Sequence, residues 1–210
     1  MLVLSIDSSA GTAVAVVRAA AGAPARVLAE RADRNARSHA EVIGTLVQGV
    51  LAEAGVSATE IDAVACGVGP GPFTGLRVGI AAGVAFALGA EARLLGVPSH
   101  DAIAARAVAE GAALPLRVVR DARRREWFIT SYTGLDAAGT PAAAVPTTVA
   151  PQAELDPEAA ADCATADPEA GWIGRVAAAR LLAGGPVRGT APIYVRSPDV
   201  SAAVPKTVLQ

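Results

Sequence analysis

Aromatic residues are scarce in this chain of 210 residues: two Trp, two Tyr and three Phe, although 52% of the residues are hydrophobic. A core must therefore be assembled from Ala, Val, Leu and Ile, and the chain is long enough to bury one as a single domain or two small ones. Lysine is nearly absent, with Lys206 the only one among 18 basic residues. Together with the alanine excess this suggests GC-rich coding, so isolated Ala or Arg positions carry little weight. The formal net charge of −2 lacks the basic excess of an autonomous nucleic-acid binder. Cysteine is limited to Cys66 and Cys163, with neither Cys-x-x-Cys nor zinc-like spacing. Cys66 lies in an apolar run and reads as a small buried hydrophobe. No apolar run reaches ~18 residues, which argues against a membrane span. Asp7 interrupts the first apolar segment, which argues against a signal peptide. A soluble, reduced, cytoplasmic protein is expected.

What is present is a loop, Gly69-Pro70-Gly71-Pro72-Phe73-Thr74-Gly75-Leu76-Arg77, between an apolar strand-like run and a long small-residue helix. Gly admits positive φ and Pro fixes φ, so the pair makes a stiff turn of defined shape. A helix beginning there leaves backbone N–H groups free for a phosphate, a carboxylate or a partner. Asp7-Ser8-Ser9 ends the first apolar run and should lie at the same sheet edge.

The periodicity predicts strands at Leu2–Asp7, Thr12–Arg18 and Arg26–Ala32, then a helix from His39 to Ala54 with apolar residues at helical spacing. Ser57–Glu60 has capping-box form. A strand at Ile61–Val68, a helix at Leu76–Ala90, a strand at Arg93–Val97 and a helix at Ser99–Ala109 follow. Three meandering strands and then parallel strands joined by helices predict an α/β fold of ribonuclease-H-like or actin-like type. A lobe of residues 1–110 and a shortened lobe of residues 111–210 are expected. The second holds strands at Leu116–Arg120 and Glu126–Thr133, an arginine-rich turn between them, and a helix at Gly174–Ala183 stopped by Gly184-Gly185-Pro186. Residues 141–169 give no clear pattern.

Leu4-Ser5-Ile6-Asp7-Ser8-Ser9, Ser38-His39-Ala40-Glu41, Gly69 through Gly79, Asp121-Ala122-Arg123-Arg124 with Glu126, and Pro192-Ile193-Tyr194-Val195-Arg196 occur in that order. On these stretches the chain resembles the TsaB (YeaZ) family, which is required to make threonylcarbamoyladenosine in tRNA. Pro72 departs from the pattern, where the family usually has Ser; a hydroxyl and a backbone N–H are lost. The resemblance implies a two-lobed actin-like fold and a subunit with no catalysis of its own. Its implied partners are TsaD, which transfers threonylcarbamoyl to adenosine in tRNA, and the ATPase TsaE. It also implies a homodimer when alone, contact with tRNA only through the complex, no membrane, and no cofactor required by the chain, with ATP and Mg²⁺ at the assembled complex.

The residues offer their own readings. Asp7, Ser8, Ser9 and Asp121 suit a residual nucleotide or phosphate site, or else hydrogen-bonded turns with Asp7 as a local cap. Arg123 stands where a second phosphate turn would have Gly, and a bulky residue disfavours a left-handed turn. His39 is followed four residues later by Ile43 and His100 is isolated, so no metal pair arises; Ser38 would cap the first helix. Arg117, Arg120, Arg123, Arg124 and Arg125 suit tRNA phosphates or a solvated turn with salt bridges. On the small-residue helix, Gly75, Arg77, Gly79, Ala82, Gly83 and Phe86, with Thr45 and Gln48 of the preceding helix, form a candidate partner or dimer surface. A core helix is the plainer reading of the same pattern. A small actin-like ATPase or kinase using Asp7 and Asp121 is the alternative from the enzyme class.

Overall fold

The computed structural model describes residues 1–35 and 39–195; Ser38 and Arg196 lie outside the described residues, as does the side chain of His39. The first half follows the predicted order. Strands β1 (Leu2–Asp7), β2 (Thr12–Ala20) and β3 (Ala23–Asp33) form an antiparallel meander. Helix α1 (His39–Ala54) and a 3₁₀ turn at Ala58–Glu60 lead to β4 (Ala63–Gly67), and α2 (Phe73–Gly89) leads to β5 (Arg93–Val97). At the 3₁₀ turn the Ser57 N–H donates to the Glu60 carboxylate at 2.8 Å, one half of the predicted capping box. The sheet order is β3-β2-β1-β4-β5, with β4 parallel to both β1 and β5. That arrangement is the ribonuclease-H-like, actin-like core expected from the sequence.

Alternation along the central strands places apolar side chains on both faces, because helices cover both. Leu4, Ile6, Val14, Val16, Val64 and Cys66 face Ile43 and Val50 of α1 and Ala87 of α2. Val3, Val17, Ala63, Ala65, Leu95 and Val97 face the opposite way. Part of their cover is Ala102 of α3 (Ser99–Ala109). The rest comes from far along the chain: Ile173, Val176, Ala177 and Leu181 belong to α4 (Ala170–Leu182). Gly174 lets α4 lie close, since a Cβ there would meet Val17 Cγ2 at 2.6 Å. The buried Ser5 hydroxyl donates to the Ala170 carbonyl at 2.6 Å and anchors the start of α4.

The second sheet has the order β10-β6-β7-β8, with β9 also on β7. Its strands are β6 (Leu116–Asp121), β7 (Glu126–Leu135), β8 (Pro141–Ala143), β9 (Thr148–Pro151) and β10 (Cys163–Ala164). The last three fall in the stretch that the sequence left without a pattern. Helix α3 lies between the sheets, with Ile103 and Ala104 packed against Leu116, Val118 and Tyr132. Gly184, at φ +66°, ends the last helix as predicted.

Candidate functional site

Loop 69–72 meets the turn after β1, as their shared sheet edge requires. Gly69 adopts φ +91°, a conformation that disfavours other residues. Its N–H donates to Ser99 Oγ at 3.2 Å, and its carbonyl accepts the Ser99 N–H at 2.8 Å. Gly71 packs on Ser9, where a Cβ would lie 2.8 Å from Ser9 Cβ. Pro72 caps α2 with extended dihedrals, and its carbonyl accepts the Leu76 N–H. The N-termini of α2 and α3 and the β6–β7 hairpin thus converge on one cleft. A cavity of about 150 Å³ there is lined by Ser9, Gly71, Ser99, His100, Arg120 and Asp121, among others.

Asp7 does not line that cavity. It is 2% exposed, and its carboxylate accepts the Ser9 N–H (2.9 Å), Ser9 Oγ (2.6 Å) and Ser99 Oγ (2.5 Å). Burial raises its pKa, against the opposing pull of those donors. The carboxylate thus ties β1 to the start of α3. Ser8 Oγ donates to the Gly75 carbonyl at 2.8 Å and ties the same turn to α2. Asp121 lies at the cleft, and its carboxylate accepts the Arg123 N–H at 2.8 Å.

The hairpin corrects one expectation. Arg123, Arg124 and Arg125 have φ of +64°, +57° and +62°, so Arg123 and its two neighbours do occupy the left-handed region that a bulky residue disfavours. The bond from Arg123 N–H to Asp121 helps hold that conformation. The arginine cluster is largely committed: Arg117 makes a two-pronged pair with Asp162 at 2.8 Å, and Arg120 pairs with Asp167 and donates to the Thr165 carbonyl.

His100 is buried. Its Nδ1 shares a 2.7 Å hydrogen bond with Thr130 Oγ1, which in turn meets Thr147 Oγ1. Among the described residues Nε2 has no partner. Burial, reinforced by Arg120, lowers its pKa to about 3, so the ring is neutral. Burial likewise pushes the Cys66 thiol up to about 12, leaving it an inert core residue. No group of three His, Cys, Asp or Glu that could hold a metal ion occurs among the described residues. No helix among them is long and apolar enough to cross a membrane.

The glycine face of α2 also differs from one reading of the sequence. Gly75, Gly79 and Gly83 are buried toward their own sheet. A Cβ at Gly79 would overlap Ser8 Oγ, and one at Gly83 would overlap Cys66 Sγ. The two glycines admit the turn after β1 and strand β4, so replacing them by Leu strikes the fold itself. Ala82 and Phe86 are half-buried beside α1, while Thr45, Gln48 and Arg77 are exposed. Sequence reasoning missed the clamp on Arg77. Tyr194 stacks on Phe73 with centroids 4.2 Å apart, and Arg77 Nε donates to Tyr194 Oη at 2.9 Å. Ile193 N–H donates to the Val68 carbonyl, so the tail crosses the start of α2. Only the matched tail stretch hinted at this contact.

A sequence profile of the family described as "TsaD: tRNA N6-adenosine threonylcarbamoyltransferase" matches residues 26–194. An uncharacterized protein of Mycobacterium leprae is 38% identical over 155 residues, covering 73% of this chain and 42% of its own length. The tRNA threonylcarbamoyladenosine biosynthesis protein TsaB of Escherichia coli is 38% identical over 96 residues, 46% of this chain and 42% of that protein. The chain thus spans about half the length, or less, of these curated relatives. A crystal structure from Pseudomonas aeruginosa, described as similar to the peptidase YeaZ, superimposes with TM-score 0.74 at 25% identity, covering 93% of this chain and 99% of that one. With the two-sheet architecture and the loop at the β1 edge, these likenesses agree: the chain belongs to the TsaD family, among its TsaB (YeaZ) members.

Proposed function

We propose that the chain is a non-catalytic subunit in the transfer of threonylcarbamoyl to adenosine in tRNA, one that binds and activates a TsaD-like transferase together with a TsaE-like ATPase. The observation that carries this reading is the outer face of α2. Arg77, Ala81, Val84, Ala85 and Leu88 recur at helical spacing on its exposed side. Leu88 is 81% exposed and Val84 39%. Thr45 and Gln48 on the adjoining α1 extend the surface, and small side chains let another backbone approach closely. The apolar stretch from Ala81 to Leu88, edged by Arg77, Thr45 and Gln48, suits a protein partner. The transferase and a second copy of the chain would compete for it, which gives a homodimer when the chain is alone.

The buried Asp7 and the turn-forming Asp121 support a role without catalysis. ATP and Mg²⁺ then belong to the assembled complex, and tRNA is reached through it, because Arg117 and Arg120 already hold carboxylate partners. The subunit works in the cytoplasm with its tRNA. Activation requires that it bind one conformation of the transferase better than another.

The test is reconstitution with cognate adenylate-forming enzyme, transferase, ATPase, threonine, bicarbonate, ATP, Mg²⁺ and tRNA, with or without this chain. Modified adenosine should depend on the chain and survive Asp121→Ala. Leu88→Arg should abolish both modification and association with the transferase while leaving the monomer folded. Undiminished modification without the chain would refute the role. ATP turnover by the chain alone, lost in Asp121→Ala, would favour the small-ATPase reading.

A further inference from the structure

A second concavity lies away from both the cleft and the outer face of α2. It is bounded by the β2–β3 hairpin, the C-terminal half of α3, helix α4 and the turn before β8. Its volume is about 410 Å³, within the ~300–1,000 Å³ range of small-molecule sites. Ala, Pro, Val, Leu, Gly and Trp make up all of its lining except Thr140 and Arg175, and no carboxylate is among the lining residues. Leu182 at its edge is 44% exposed, so the apolar surface opens to solvent.

Arg175 supplies the only charge in this lining. Its guanidinium carbon stands 4.6 Å from the centroid of the Trp172 ring, which holds the group against the wall. Nε is buried and has no hydrogen-bond partner among the described residues. Arg180, about one and a half turns further along α4, is by contrast paired with Asp101 and Asp136. Glu30 feels the charge of Arg175, but its own carboxylate accepts the Gly171 N–H at the start of α4. A buried donor without an acceptor is rare in native proteins and calls for a cause.

We propose that this groove binds a free medium-chain aliphatic carboxylate, its chain along the Ala, Pro and Val walls and its head at Arg175. One cation in a lining without carboxylates selects a single negative charge. The scarcity of other polar side chains disfavours a polyanion or a sugar, whose remaining groups would be left without partners. The concave shape suits a single chain rather than a bilayer, which requires an exposed apolar face that inserts.

The chain has two Trp residues, so Trp127→Phe leaves Trp172 as the sole indole reporter. Its fluorescence would be titrated with octanoate, decanoate and dodecanoate below their micelle concentrations. Saturable one-to-one binding is expected, strengthening about fourfold per added methylene. Decanoate should bind at least about tenfold more tightly than decanol, and Arg175→Gln should erase that preference without shifting thermal unfolding. Ala179→Trp should fill the groove and abolish binding. If Trp127→Phe does not fold, calorimetry on the native chain reads the same series. Equal affinity for decanol and decanoate, an unchanged preference in Arg175→Gln, or no saturable binding would overturn the assignment. A Trp172 response to anionic phospholipid vesicles with none to decanoate would overturn it in favour of a membrane surface.

Discussion

The two sheets are held in different ways. The first is a five-stranded layer with apolar side chains buried on both faces. The second has a small apolar cluster around Leu116, Val118 and Tyr132 and is stitched by charge instead. Arg180 of α4 reaches Asp101 of α3 at 2.8 Å and Asp136 of the β7–β8 turn at 3.1 Å. The buried Tyr132 hydroxyl donates to the same Asp101 at 2.8 Å. Burial raises the pKa of Asp101, while hydrogen bonds from Thr140 and Arg180 outweigh burial at Asp136 and hold it low. Apolar burial is non-directional and tolerates local error; a charge network depends on every member being present.

That contrast sets the order of expected effects. Asp101→Ala should be the most damaging substitution at about 3–5 kcal/mol, because Arg180 and Tyr132 lose a buried partner. Denaturant unfolding measures it, and a loss under 1 kcal/mol would mean that the second sheet is held by its apolar cluster after all. Gly83→Leu tests the first sheet. It forces a side chain into Cys66 and should cost about 1–3 kcal/mol in the isolated chain.

His100 gives a pH test. Its folded pKa of about 3 lies below the unfolded value near 6.5, so the unfolded chain binds the extra proton in between. Stability from this group is therefore full well above pH 6.5 and declines as pH falls toward 3, by about 1.4 kcal/mol at pH 5.5. His100→Gln should flatten that slope; an unchanged slope would assign it to other groups. Smallest of all, Arg117→Ala should cost no more than about 1 kcal/mol, since its pair with Asp162 is partly exposed.

The same contrast explains what was legible in the sequence. The strands and helices of the first sheet announce themselves by apolar period, and α1, β5 and α3 begin and end where the pattern places them. Strands β8, β9 and β10 are two to four residues long, too short to show a period. They are defined by partners far along the chain, as when β10 pairs with β6. The meeting of the Ser8-Ser9 turn with loop 69–72 followed from sheet topology alone. Periodicity left α2 as either a core helix or a partner surface and could not say that Gly79 and Gly83 serve Ser8 and Cys66. The left-handed run at Arg123–Arg125 was hidden because local propensity argues against it and the hairpin overrides propensity.

Helix α4 has a consequence for how the protein comes into being. During synthesis the strands of the first sheet are complete once Val97 has been made, yet one face of that sheet waits for Leu181, about 85 residues later. At ~5–20 residues per second the nascent chain would present that bare apolar face for on the order of ten seconds. A ribosome-bound intermediate lacking its lid is therefore the natural client for a chaperone, and a transcript truncated before codon 170 should yield an aggregating product rather than a smaller folded lobe.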